Sequence, residues 1–280
     1  MLISLCNEAL ASMPFADQCA FARAVGYDGL EIAPFTLGKE PWRLPRDERA
    51  RIRRIASDEG IRITGSHALL WGLDDASITT VDESRRLKTI AIMRGLIELT
   101  ADLGGSVMVH GSPMARLLDD EDSSKRGTES FAAIAKDAEA AGVSYCIEPL
   151  TKKENVFIKT IADALQVVSA IGSPAICTMI DCSAAAAGEA EAVPDLIRRH
   201  VPGGRIAHIH FNDPNRRGPG EGSLAFAPIM MALSDVGYSG NAAVEPFIFE
   251  PDGPTCAARQ IGYLRGVLES VAGWSVPSRS

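Results

Sequence analysis

The sequence predicts a single α/β domain, a (β/α)8 TIM barrel with its active site at the C-terminal ends of the strands. Three observations predict it. Short apolar, β-rich runs recur eight times, roughly every 34 residues. Helical patterns fill the gaps, and strict strand–helix alternation implies a parallel sheet covered by helices. No Gly-x-Gly-x-x-Gly follows the first strand and no P-loop occurs, which disfavours an open nucleotide-binding sheet.

In order, the strands are LISLC (2–6), GLEIA (29–33), IRITGSH (61–67), SVMVHG (106–111), VSYCIE (143–148), ICTMID (176–181), RIAHIH (205–210) and AAVEPF (242–247). The first helical pattern sets Phe15, Cys19, Ala22 and Val25 on one face and closes on Gly26. The pattern over 82–105 opens on an acidic residue and closes on a glycine pair, as capped helices do. Others cover 123–142, 160–172, 192–201, 224–237 and 255–270. The barrel domain spans 1–272, and 273–280 reads as a flexible tail.

A 46% hydrophobic fraction and a mean hydropathy of +0.05 fit a soluble globule with a substantial core. The net charge is −8 and the basic residues are scattered, which argues against nucleic acid as a partner. No apolar run approaches the roughly 18 residues of a membrane helix. The start, MLISLCNEAL, has no basic segment and meets Glu8 at once, unlike a signal peptide. Cysteines 6, 19, 146, 177, 182 and 256 form no CxxC and read as reduced, buried thiols of a cytoplasmic protein.

In a barrel of this kind, chemistry gathers at the strand ends. Here those ends are Asn7 with Glu8, Glu31, His67, His110, Glu148, Asp181, His210 and Glu245. Buried carboxylates are costly unless paired or metal-bound. A salt-bridge ring is the plain alternative, but these ends carry no lysine or arginine to balance it. Glu148, Asp181, His210 and Glu245, from strands 5 to 8, make an oxygen-rich set with one nitrogen. That set suits one divalent cation, Mn²⁺ or Mg²⁺ first, with Co²⁺ or Zn²⁺ open. His208 and His210 share one side of their strand; His210 is the better ligand, and His208 orients it or satisfies a buried polar partner. The loop NDPNRRGPGEG would cover the site, with Arg216 or Arg217 able to grip a substrate oxygen or phosphate.

Five motifs then carry a resemblance. IEPLTKKEN (147–155) holds Glu148 and, six residues on, Glu154 with Asn155. The others are ID (180–181), HIHFNDPNRRGPGEG (208–222), VEPF (244–247) and HALLW (67–71). In this order and spacing the chain resembles the xylose-isomerase-like TIM-barrel sugar isomerases and epimerases, over essentially its whole length. It looks most like the ketose 3-epimerases of the D-tagatose/D-psicose type, with hydroxypyruvate isomerase and inosose isomerase as cousins. The resemblance implies Glu148, Asp181, His210 and Glu245 as metal ligands, with Glu148 and Glu245 as the acid–base pair. It implies Glu154 and Arg216, with His67 and His110, at a sugar or hydroxyketone substrate, in a homodimer or homotetramer. One position departs from the pattern. The epimerases carry Asp-x-x-His after strand 6, and Ala184 stands here in place of that histidine.

Two carboxylates on opposite faces of a hydroxyketone would epimerise it through an enediolate; one base serving a single face would isomerise it. Trp42, Trp71 or Phe247 could cover the apolar face of the sugar. Ala184 keeps open a dehydratase acting on a keto-inositol or dehydroshikimate-type substrate at the same site. Phosphoryl chemistry of the endonuclease IV kind needs many histidines, and this chain has five. A sugar-binding barrel without turnover is the third alternative.

Overall fold

A computed structural model describes residues 1–150 and 155–271. Its eight parallel strands close into a barrel in sequence order, β8 returning to β1. They are β1 Leu2–Cys6, β2 Gly29–Ile32, β3 Arg62–Ser66, β4 Val107–His110, β5 Ser144–Ile147, β6 Ile176–Asp181, β7 Ile206–Phe211 and β8 Asn241–Val244. Every strand expected from the sequence is present. His67, Glu148 and Glu245 lie just beyond the last paired residue of their strands, where backbone turns can aim them into the mouth.

Ten α-helices surround the barrel among the described residues: α1 Phe15–Val25, α2 Arg46–Asp58, α3 Glu83–Leu103, α4 Ser123–Ala132, α5 Ala135–Ala141, α6 Ile161–Ile171, α7 Cys182–Gly188, α8 Val193–His200, α9 Phe226–Asp235 and α10 Gly253–Ser270. Caps set their limits. The Asp82 carboxylate accepts from the Arg85 N–H to start α3, and Gly104 ends it in the left-handed conformation at φ 95°. Thr160 and Asp163 close a reciprocal capping box on α6.

Two differences from the sequence expectation have physical causes. The stretch 123–142 is not one helix: the Ala133 carbonyl turns out to accept a 2.9 Å hydrogen bond from Arg94 of α3, and the chain breaks there into α4 and α5. The alanine run after β6 is helical as α7, nucleated by Asp181, whose carboxylate accepts from the Ala184 N–H.

The main core fills the space between strands and helices, with Leu5, Leu30, Ile147, Ile180 and Ile209 facing outward onto the helix layer. A smaller cluster, Val107, Val109, Cys146, Cys177 and Met179, fills the barrel axis. The strands approach closely at Gly65, where a Cβ would sit 2.3 Å from the Val107 carbonyl oxygen. Gly65→Ala is therefore expected to destabilise the barrel by about 1–3 kcal/mol. A lowered midpoint in thermal denaturation, with an unchanged folded-state circular dichroism spectrum, checks it.

Candidate metal and active site

Asp181 ends β6, His210 stands near the end of β7, and Glu245 follows β8. One ligand atom from each lies within 4.8 Å of the others, and all three residues are buried. His210 Nδ1 is 3.0 Å from Glu245 Oε2 and 3.9 Å from Asp181 Oδ2, yet it makes no aligned hydrogen bond among the described residues. Its other nitrogen is committed: Nε2–H donates to Glu31 Oε1 at 2.9 Å. A carboxylate only accepts, so the proton belongs on Nε2, and Nδ1 faces two carboxylates with a lone pair to offer. Without a cation, burial works against a charged imidazole, but Glu245 and Glu31 outweigh it and raise the His210 pKa well above its usual value. A divalent cation would take the place of that proton.

Asn212 locks the carboxylates in place. Its side-chain oxygen accepts from the Ser183 N–H at 2.8 Å, which fixes the amide orientation. Its NH₂ then donates to Asp181 Oδ2 at 2.6 Å and Glu245 Oε2 at 3.2 Å. Glu148 stands beside this trio, partly buried, outside the tight ligand group. Its carboxylate lies across Gly111, where a Cβ would meet Oε2 at 2.2 Å. Burial first, then repulsion from Asp181 and Glu245, pushes its carboxyl up to about 8. The same causes, burial and then Glu245, raise Asp181 to about 6. Burial also opposes the charge on Glu245, but the His210 imidazole holds that carboxyl below its ordinary range.

Glu31, fully buried, is the hub beneath the trio. Besides His210, it faces His208 Nε2 at 2.8 Å, close but off hydrogen-bond alignment, and His67 Nδ1 at 3.6 Å. His208 lies against Glu31 without an aligned hydrogen bond, and Glu31 is the group hydrogen-bonded to His210. His67 points inward because the β2–β3 register skips Thr64. Ser66 turns outward to accept from the Thr100 hydroxyl of α3, and His67 Nε2 reaches Glu8 Oε2 at 2.9 Å.

Other expected residues lie elsewhere. His110 is not brought to the mouth. It shares the side of β4 that carries Met108, packs edge-on against Phe131 of α4 and meets the Tyr145 hydroxyl at 2.6 Å. Glu154 lies outside the described residues, as does the stretch 273–280. Arg216 is exposed, its guanidinium 5.2 Å from the centroid of the Phe247 ring. Arg217 instead pairs with Glu250. Trp71 is exposed and tilts against Phe35 at 6.4 Å, and a cavity of about 520 Å³ runs between them and Trp42.

The loop after β7 is no phosphate cradle. The Asp213 carboxylate accepts the backbone N–H groups of Asn215, Ser223 and Leu224. Gly222 lies so close that a Cβ would fall 2.0 Å from Asp213 Oδ1. Gly218 is packed as tightly against Gln260 of α10.

A family model described as xylose isomerase-like TIM barrel matches residues 19–267. The chain belongs to that family. Among its curated relatives, the D-psicose 3-epimerase of Ruminiclostridium cellulolyticum is 27% identical over 80% of this chain and 75% of its own length. The 3-dehydro-D-guloside 4-epimerase of Escherichia coli is 22% identical over 95% and 99%. A crystal structure of a D-psicose 3-epimerase in the presence of D-fructose superposes with a TM-score of 0.80, at 23% identity, over 96% of this chain and 99% of its own. That likeness shows the shared barrel. The chain is related to ketose 3-epimerases, and its buried Asp181–His210–Glu245 group could hold a metal ion.

Sequence reasoning named Glu31 and Glu8 only as strand ends and passed over Asn212. A glutamate inside an apolar strand, two residues after the inward Gly29, was the available signal for Glu31. Two outcomes follow from this geometry. Glu31→Gln is expected to weaken cation binding about 10–100-fold, measured by calorimetry on protein that retains its folded spectrum. As the sequence-expected ligands, Glu148 and Asp181 would have to release their protons to bind a cation, and each is protonated below its raised pKa. Cation affinity therefore falls as pH drops through about 8 and again through about 6, by about tenfold per unit for each carboxyl held protonated. Calorimetry at pH values bracketing that range reads the change.

Proposed function

We propose that this protein is a divalent-metal-dependent isomerase or epimerase that moves a proton α to the carbonyl of a ketose or related hydroxyketone. The observation that carries it is the unpartnered Nδ1 of His210, facing Asp181 and Glu245 while Glu31 holds Nε2. Asp181, His210 and Glu245, joined by Glu148, would hold the cation; an oxygen-rich set with one imidazole suits Mn²⁺ first. A cation bound there supplies Lewis-acid stabilisation to the negative charge that develops as an enediolate forms.

The chain's own residues do the rest. Glu148 and Glu245 stand after β5 and β8, on different sides of the mouth, so a hydroxyketone between them presents opposite faces to two carboxylates. One removes the α-proton and the other returns a proton on the opposite face, which inverts the carbon. Arg216, braced on Phe247, grips a hydroxyl or carbonyl oxygen, and the Phe35–Trp71 pair covers an apolar sugar face. The working protein is cytoplasmic and a homodimer or homotetramer.

A second reading moves the reacting carbon. At Ala184 a methyl stands where the ketose epimerases place a histidine, so one hydrogen-bonding group for a free sugar is missing beside Asp181. One relative matched along nearly its whole length is a 4-epimerase of a 3-dehydro-guloside. A 3-keto-glycoside is the substrate class this relationship favours, and the same carboxylates would act one carbon along.

The test is proton exchange in D₂O with the Mn²⁺-loaded protein and a panel of ketoses and 3-keto-glycosides. Deuterium at C3 with inversion marks the ketose 3-epimerase; deuterium at C4 marks the keto-glycoside reading. Glu148→Gln and Glu245→Gln are each expected to lower turnover at least about 100-fold while the protein stays folded. Exchange that survives both substitutions would overturn the assignment of the two carboxylates.

A further inference from the structure

On the other side of Glu245, toward β1 and β3, lies a second group of ligand atoms. Cys6, Glu8, His67 and Glu245 each bring one within 4.8 Å of the others, three of them buried and Glu8 partly so. Cys6 ends β1 on the inward face it shares with Ser4, which bonds Thr64 across the barrel. Its thiol is fully buried, free, and makes no hydrogen bond among the described residues. His67 is fully buried as well, and its Nδ1 has no hydrogen-bond partner among the described residues. Nδ1 faces Glu31 at 3.6 Å, while Nε2 meets Glu8 at 2.9 Å inside the group. Glu31 lies on the side of His67 turned away from the group, but unlike at His210 no hydrogen bond joins them; the one hydrogen bond of the His67 ring goes to Glu8.

We propose that Cys6, Glu8, His67 and Glu245 form a second cation position, with Glu245 bridging it to the first. One thiolate, one imidazole and two carboxylates make a borderline-soft donor set, suited to Zn²⁺ or Co²⁺ more than to Mn²⁺ or Mg²⁺. The two positions thus differ in softness and would sort ions between them. For the proton transfer proposed above, on which this consequence alone rests, the second ion draws on the carboxylate that carries the proton. Excess thiophilic metal then inhibits an enzyme that a first equivalent of Mn²⁺ activates.

The experiment is a Co²⁺ titration of the metal-free full-length protein, followed by absorbance and by metal analysis after gel filtration. The wild type is expected to hold about two equivalents, one of them giving a thiolate-to-Co²⁺ charge-transfer band in the near ultraviolet. Cys6→Ser loses the band and one equivalent; Glu8→Gln, at a partly exposed side chain, weakens the same step at least about tenfold. Asp181→Asn keeps the band and loses the other equivalent. A wild type that binds one equivalent with no thiolate band overturns the proposal and makes His67 a protonated counter-ion to Glu8 and Glu31. So does a band that survives Cys6→Ser. A band in the wild type without the second equivalent upholds this position and overturns the first.

Discussion

The buried carboxylate of Glu31 is the constraint around which the mouth of this barrel is built. An isolated carboxylate with no water contact costs several kcal/mol even after relaxation. Here it is tolerable because three inward imidazoles, His67, His208 and His210, face it. Burial alone would raise its pKa, but His208 and His210 hold it well below the usual carboxylate range. One charge thus fixes the His210 ring and faces those of His67 and His208, and it decides that His210 Nδ1 is the nitrogen left for another partner.

The barrel supplies what this hub needs. A closed parallel sheet places successive strand ends around one mouth, so residues distant in sequence meet without any loop having to fold over them. Asp181, His210 and Glu245 come from consecutive strands, and Asn212, one residue beyond β7, reaches its two carboxylate neighbours across them. The cost of gathering like charges is visible in Glu148 and Asp181, both raised above ordinary carboxyl values.

Much of this was legible in the sequence. Strands buried on both faces read as continuous apolar runs, which is why all eight could be found. Polar residues at the ends of those runs pointed to the mouth. Other parts were harder to see. α2 buries only Arg49, Ile52 and Ala56 beneath a highly charged surface, so apolar periodicity does not show it. His110 ends its run as the others do, yet Val107 and Val109 claim the barrel interior, and period-two alternation sends His110 to the helix layer. Nothing in IRITGSH marks the skipped residue, Thr64, that turns His67 inward. Local pattern found the strands; it could not count the register between them.

The Arg216 backbone ties two loops into one piece. Held in the left-handed region at φ 69°, its carbonyl accepts the N–H groups of Phe247 and Ile248, while its side chain rests on the Phe247 ring. The loop after β7 and the loop after β8 therefore cannot be exchanged independently. Anyone grafting a new specificity onto this scaffold would have to transplant both together, as evolution would have had to vary them in concert. In return, the guanidinium is presented on a platform already ordered before any ligand arrives, so little conformational entropy is left to lose on binding.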